Sequence, residues 1–90
     1  MNKNDLIKSI AQSAQISRVT AEMGLNGLLS ALEAAMKEGQ RVTLVGFGSF
    51  SVVARAPRTG RNPKTGETVP IPSRRVVRFR PGKELADKIQ

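Results

Sequence analysis

Apolar residues in the first forty positions recur three or four residues apart, a spacing that predicts two amphipathic helices. Asn2 or Asn4 can cap the first helix, whose apolar positions end at Ala14. Ser17 is the cap candidate of a longer second helix, which should stop at Gly39. The apolar positions of the second helix are Val19, Met23, Leu25, Leu28, Leu29, Leu32, Ala35 and Met36. Because this stripe is wider than one neighbouring helix covers, we expect a second subunit to cover the rest.

From Arg41 onward the apolar spacing changes to every second residue, which predicts β-strands. Val42 and Leu44 alternate with polar residues, and residues 46 to 48 supply a tight turn. A second strand follows the turn, so residues 41 to 54 should form a hairpin.

A returning strand over residues 75 to 81 has two unlike faces. Val77 and Phe79 share one face, and Arg78 and Arg80 take the other. The apolar face suits packing in the core, whereas the cationic face is a candidate binding surface.

The three aromatic residues are all phenylalanines, at positions 47, 50 and 79. Aromatic rings on a sheet can stack single-stranded bases, but Phe50 and Phe79 fall on the face away from the arginines. Core packing is therefore favoured, and duplex is favoured over single strands. The predicted core and dimer residues are Leu28, Leu29, Leu32, Leu44, Phe47, Phe50, Val77 and Phe79.

Positive charge is confined to one part of the chain. Residues 1 to 40 carry four Lys or Arg and four Asp or Glu, whereas residues 41 to 83 carry ten Lys or Arg against one Glu. The net charge of +8 thus comes from the second half. Segregated positive charge is typical of a surface that attracts and holds nucleic acid.

Residues 55 to 74 are predicted to project as a positively charged arm. Residues 56 to 68 lack the alternating apolar positions by which a hairpin packs on a core, so burial cannot hold this segment down. The cations of the arm are Arg55, Arg58, Arg61, Lys64, Arg74 and Arg75. Asn62 before Pro63 favours extended backbone, and Gly66 tolerates positive φ, so a turn should reverse the chain at the tip of the arm.

Composition indicates one domain that needs support from outside its own core. Ninety residues, with an arm removed, leave a body whose core supplies only about 3 to 5 kcal/mol. The chain has no Cys for a disulfide, and without His it also lacks the usual zinc ligands, so oligomerisation is the remaining source of stability. Without these residues or a phosphate-binding glycine motif, we expect no catalytic residue, metal, cofactor or small-molecule substrate. The N-terminal residues lack the apolar run of a signal peptide or membrane span, so a cytoplasmic protein without membrane contact is expected.

Three short motifs resemble the bacterial histone-like HU family and its relative, integration host factor. They are GFGSF at residues 46 to 50, GRNPKTGE at residues 60 to 67 and FRPGKEL at residues 79 to 85. The order of elements is similar over essentially the whole chain. The resemblance implies an α+β fold: an intertwined dimer with an N-terminal helical pair, a three-stranded antiparallel sheet extended into a long β-ribbon arm, and a short C-terminal helix. The parts would be a helical dimerisation base (1–40), body strands (41–54 and 75–81), the DNA-binding arm (55–74) and a C-terminal helix (82–90).

The same resemblance implies an architectural, histone-like protein of the nucleoid, which bends and compacts double-stranded DNA with its arms in the minor groove. Pro63 matches the family's intercalating wedge, Arg55, Arg58, Arg61, Lys64 and Arg74 match its arm cations, and Lys3 and Lys83 match its flank contacts. With Asn62 at the tip, and with Arg75, Arg78 and Arg80, these residues complete the predicted DNA-binding set. The expected partners are duplex DNA and a second copy of the chain or a paralogous subunit.

Sequence preference divides the two relatives. The N-terminal half resembles HU, which binds with little preference, whereas the arm and the returning strand lean towards the site-specific integration host factor. We expect weak preference, because the chain lacks the longer C-terminal tail of some site-specific relatives. A basic RNA-binding protein is a third, less favoured reading of the same charge.

Overall fold

The computed structural model describes residues 1–90 and confirms the α+β class. Three helices and five strands follow one another along the chain: α1 (Lys3–Ala14), α2 (Arg18–Lys37), β1 (Val42–Leu44), β2 (Gly48–Arg55), β3 (Arg58–Arg61), β4 (Thr68–Ile71), β5 (Arg74–Pro81) and α3 (Lys83–Ile89). Residues 1–34 and 35–90 form two compact units.

Side-chain caps fix the starts of both long helices. The Asn2 Oδ1 atom accepts a hydrogen bond from the Asp5 amide at 3.0 Å, while the Asn2 amide donates to Asp5 Oδ2 at 3.1 Å. This reciprocal pair is a capping box, and it selects Asn2 rather than Asn4 as the cap. The Thr20 amide donates to Ser17 Oγ at 3.1 Å, which confirms Ser17 as the cap of α2.

The first unit has a small core between α1 and α2. Ile7, Ala11 and Ala21 are buried together, and Ile10 and Leu25 pack against them. Two of the apolar positions predicted for α2 do not pack in this core: Val19 and Met23 are each 69% exposed. The side of α2 that meets α1 carries Leu25, which was predicted, and Ala21, which was not. Much of the apolar stripe of α2 is therefore left uncovered by this unit.

The second unit begins with the end of α2, which closes as a Schellman motif. The Gln40 amide donates to the Ala35 carbonyl at 2.9 Å, and the Gly39 amide donates to the Met36 carbonyl at 3.0 Å. Gly39 adopts a φ of 76°, which glycine reaches without strain. The predicted stop of the helix at Gly39 is confirmed.

Strands β1, β2 and β5 form an antiparallel body sheet in the order β1-β2-β5. Phe50 lies opposite Phe79 and Val52 opposite Val77, so these residues share one face, as predicted. The ring centroid of Phe79 lies 4.9 Å from that of Phe50 and 5.6 Å from that of Phe47. Phe79 thus packs against both of the other rings, an arrangement that stabilises the apolar face of the sheet.

The arm is a hairpin with an interruption. The β2–β5 pairing continues to Arg55 and Arg74, one residue further on each strand than predicted for the body. Pairing resumes only at Arg58 opposite Ile71, in a separate two-stranded sheet of β3 and β4. The unpaired junction between the two sheets consists of Ala56, Pro57, Pro72 and Ser73. Two prolines explain the break in the expected continuous ribbon, because proline has no amide hydrogen to donate across a ladder.

Candidate nucleic-acid interface

The body sheet carries its cations on the face opposite the phenylalanines. Ser49 lies opposite Arg80, Ser51 opposite Arg78 and Arg55 opposite Arg74, and paired residues share a face of the sheet. The cationic face predicted for β5 is therefore present, and β2 adds small hydroxyl side chains to it. Guanidinium and hydroxyl groups together are the donors that a phosphate backbone accepts from.

Arg41 joins this face, although it was not among the predicted interface residues. A groove on the sheet is lined by Arg41, Ser49, Ser51, Val52, Val53, Arg78 and Arg80. None of these residues is acidic. The signal was present in the sequence, because Arg41 and Thr43 alternate with Val42 and Leu44 and must point away from the apolar face.

The β3–β4 hairpin presents cations on both of its faces. Arg58 pairs with Ile71 and Arg61 pairs with Thr68, three residues apart along β3. An odd spacing along a strand places two side chains on opposite faces, so Arg58 and Arg61 point to opposite sides of the hairpin. One arm can therefore reach phosphates on either side of it.

Hydrogen bonds within the tip close the predicted turn. The Asn62 amide donates to the Glu67 carbonyl at 2.8 Å, and the Gly66 amide donates to the Asn62 carbonyl at 2.7 Å. The Lys64 amide donates to Asn62 Oδ1 at 2.9 Å, and Gly66 has a φ of 74°. The side-chain oxygen of Asn62 thus holds the turn, which leaves Pro63 exposed at the end of the hairpin.

A small apolar patch accompanies the cations of the arm. Pro57, Pro70, Ile71 and Pro72 line a shallow groove with Arg58 and Thr59. The Cδ1 atom of Ile71 lies 2.7 Å from where a Cβ atom would stand on Gly60, so the side chain crosses over this glycine. The arm has this local contact, but no residue of the β3–β4 hairpin is buried.

Arg75 lies apart from the other predicted DNA contacts. The alternation along β5 puts it on the face of Val77 and Phe79, opposite to Arg74 and Arg78. Its Nη2 atom donates to the main-chain carbonyls of Met36 and Lys37, at 2.9 Å and 3.1 Å. Arg75, a predicted DNA contact, is thus bound to the end of α2.

Lys3 and Lys83, the two predicted flank contacts, each occupy the first residue of a helix and are exposed. They belong to different units of the chain. None of the three helices combines the length and the apolar composition that crossing a bilayer requires. No group of three or more His, Cys, Asp or Glu side chains is arranged to hold a metal ion.

Comparison with known proteins extends these observations. A profile of the family described as "Bacterial DNA-binding protein" matches residues 1–90. HU-beta of Neisseria meningitidis serogroup A is 49% identical over 89 residues, which cover 99% of this chain and all of the relative. The β subunit of integration host factor of Hahella chejuensis is 46% identical over 90 residues, which cover 99% of this chain and 92% of that one. In a cocrystal structure of Anabaena HU with DNA, the HU chain matches with a TM-score of 0.90 and 42% identity, over 99% of this chain and 97% of that chain.

Proposed function

The chain belongs to the bacterial DNA-binding protein family that includes HU and integration host factor, and we propose that two copies of it hold a bent DNA duplex between their arms. Membership of this family makes it an architectural, histone-like DNA-binding protein. The observation that carries the proposal is the segregated charge: the cationic face of the body sheet and the two faces of the β3–β4 hairpin present arginines, and Glu67 is the only acid between residues 41 and 83.

The dimer is supported by apolar surface that each unit leaves uncovered. In the first unit Leu28 and Leu29 of α2 are exposed, and only four residues of the whole chain form a buried core. In the second unit Val77 is 65% exposed on the apolar face of the body sheet, beside Phe79. Burying such surface against a second copy, or against a paralogous subunit, stabilises a chain whose own core is small. We assign the predicted core and dimer residues to this shared interior.

Pro63 is our candidate for the wedge between base pairs. It lies exposed at the tip of the arm, where hydrogen bonds within the turn fix its position, and Arg61 and Lys64 flank it. A rigid apolar ring inserted at one base step unstacks that step and kinks the duplex, while the flanking cations neutralise phosphates of the narrowed groove. Asn62 supports this geometry through its side-chain oxygen.

We assign phosphate contacts to the exposed cations of the arm and of the cationic face. This set comprises Arg55, Arg58, Arg61, Lys64, Arg74, Arg78 and Arg80, with Arg41 added from the structure and with Lys3 and Lys83 at the flanks. Such contacts fix the position of a protein on the backbone and carry little sequence information. We therefore propose weak sequence preference, together with compaction of DNA in the nucleoid. An integration-host-factor-like preference for particular sites is the alternative that the 46% identical relative represents.

The test is to measure affinity for linear, nicked and pre-bent duplexes of equal length at several salt concentrations. If about half of the twenty Lys and Arg of residues 41 to 83 in a dimer displace counterions, log affinity should fall against log salt with a slope near −9. Pre-bent and nicked duplexes should bind more tightly than linear duplex, because the cost of bending is already met. A slope shallower than about −3 contradicts extensive phosphate contact. Equal or tighter binding of double-stranded RNA would favour an RNA-binding protein.

A further inference from the structure

We propose that Arg75 is a positioning residue. It binds the start of β5, where the arm meets the body sheet, to the last turn of α2, and so sets the direction in which the arm leaves the sheet. The inference rests on the proposed function, since it concerns how the arms bend DNA. It differs from the sequence-based expectation, in which Arg75 itself contacts DNA.

The contact of Arg75 completes the cap of α2. The Schellman motif uses the carbonyls of Ala35 and Met36, and the next carbonyl along the helix is that of Lys37. Arg75 donates to Met36 at 2.9 Å and to Lys37 at 3.1 Å, so one guanidinium nitrogen bridges two successive carbonyls. A positive charge is favourable at this end of a helix, where carbonyl groups lack donors and the helix dipole is negative.

The Arg75 contact lies near the end of the β2–β5 ladder, next to the unpaired junction. Arg75 pairs with Ala54, and only one further pair, Arg55 with Arg74, separates it from the unpaired junction. Beyond the junction the β3–β4 hairpin has no buried residue to fix its orientation. The Arg75 contact is therefore the last side-chain hydrogen bond before the junction, and we expect the end of the ladder to fray without it.

The neighbouring arginine provides a matched comparison. Arg74 has the same charge and lies one residue away, but it is on the cationic face of the sheet, opposite Arg55. If the face decides the role, Arg74 contributes a phosphate contact and Arg75 contributes orientation.

The experiment uses Arg75→Gln, Arg75→Lys and Arg74→Gln in the full chain. For Arg75→Gln we expect faster amide exchange in residues 53 to 55 and 74 to 76 of the free protein, and a broader, smaller bend angle by energy transfer across a labelled duplex. We expect its salt slope to stay at the wild-type value. Arg74→Gln should instead reduce the slope by about 1.8 per dimer, one phosphate per protomer, without changing exchange.

Arg75→Lys separates charge from geometry. Lysine keeps the positive charge but is a single ammonium on a flexible stem, which fixes geometry less well than a planar guanidinium. We expect an intermediate rise in exchange, an intermediate loss of bending and an unchanged slope. If Arg75→Gln does not fold, this variant carries the same comparison.

Two results would overturn the proposal. A slope that falls by about 1.8 in Arg75→Gln, with exchange unchanged, would make Arg75 a phosphate contact. Faster exchange throughout the protein, with a wild-type bend angle, would make it a general stabiliser. The exchange measurement needs no DNA, so a wild-type protein that fails to bend DNA would refute the proposed function separately.

Discussion

Strand β2 of the body sheet continues into β3 of the hairpin, and β4 continues into β5, yet the body sheet and the β3–β4 hairpin are stabilised by different interactions. Strands β2 and β5 carry Phe50 and Phe79 on one face, where Phe47 of the preceding turn also packs against Phe79, and Gly48 of β2 is buried. Strands β3 and β4 have the same antiparallel pairing but no buried residue. Burial therefore specifies the first region, whereas backbone pairing, prolines and turn hydrogen bonds specify the second. One β-ribbon can therefore combine a part that is held by side-chain packing with a tip that only a charged partner would order.

The largest expected effect comes from a charge on the apolar face of the body sheet, compared with the same charge on the β3–β4 hairpin. Val77→Asp puts a carboxylate on the apolar face of the body sheet, where burial in a dimer would leave the charge unpaired at a cost of several kcal/mol. We expect loss of the folded dimer at micromolar concentration, measured by sedimentation and circular dichroism. Val69→Asp in β4, where the side chain is 42% exposed, should leave assembly unchanged. A Val77→Asp protein that remains a stable dimer would contradict the proposal that two chains share an apolar interior.

Neutralising the arm should separate affinity from stability. With Arg58, Arg61 and Lys64 all changed to Gln, six phosphate contacts are lost per dimer, and the salt slope should become shallower by about 5. The unfolding free energy should change by less than about 0.5 kcal/mol per site, because these side chains are exposed. Binding titrations at several salt concentrations and thermal melts check both statements. A large drop in stability would show that the arm packs on the body.

A pair of glycine substitutions tests packing directly. A Cβ atom on Gly48 would lie 2.7 Å from the Arg80 carbonyl oxygen and from the Phe79 ring, none of which can move freely. Gly48→Ala should therefore cost about 1 to 3 kcal/mol in the free energy of unfolding. On Gly60 the nearest atom, also at 2.7 Å, is the terminal methyl of Ile71, which can rotate away. Thermal unfolding should hardly distinguish Gly60→Ala from wild type, and equal losses for both variants would contradict the contrast.

The smallest expected effect on affinity, and a specific one on DNA shape, comes from Pro63→Ala. Removing the ring should reduce the bend angle measured by energy transfer while weakening binding by less than about tenfold, equal to 1.4 kcal/mol. Pro70→Ala is the control, because Pro70 lies in β4 and pairs with Thr59, away from the tip. An unchanged bend angle in Pro63→Ala would exclude the wedge.

The sequence predicted most of the elements because their signals are local. Caps at Asn2 and Ser17, a stop at Gly39 and the alternation around Phe50 and Phe79 each depend on a few neighbouring residues, and the structure confirms them. The family and its architectural role followed from three motifs and are confirmed by the comparisons.

The features that could not be predicted from the sequence depend mainly on contacts between segments that are distant in the chain. Nothing near Arg75 in the chain indicates a contact with Met36 and Lys37, since the partner lies almost forty residues away. Arg41 was not predicted for a different reason: it precedes the first residue of β1, and only its alternation with the residues of that strand assigns it to the cationic face. Ala21, buried beside Ile7 and Ala11, was not among the predicted apolar positions, because its small side chain adds little to an apolar pattern. The individual DNA contacts and the wedge remain predictions.

Amide hydrogen exchange along the whole chain, with and without duplex DNA, tests the central contrast most directly. The account predicts that residues 58 to 71 exchange quickly in the free protein and become strongly protected on DNA, whereas the paired amides of β2 and β5 near Phe50 and Phe79 are slow in both states. Protection of the arm in the free protein, or an arm that exchanges as quickly on DNA as off it, would contradict the account.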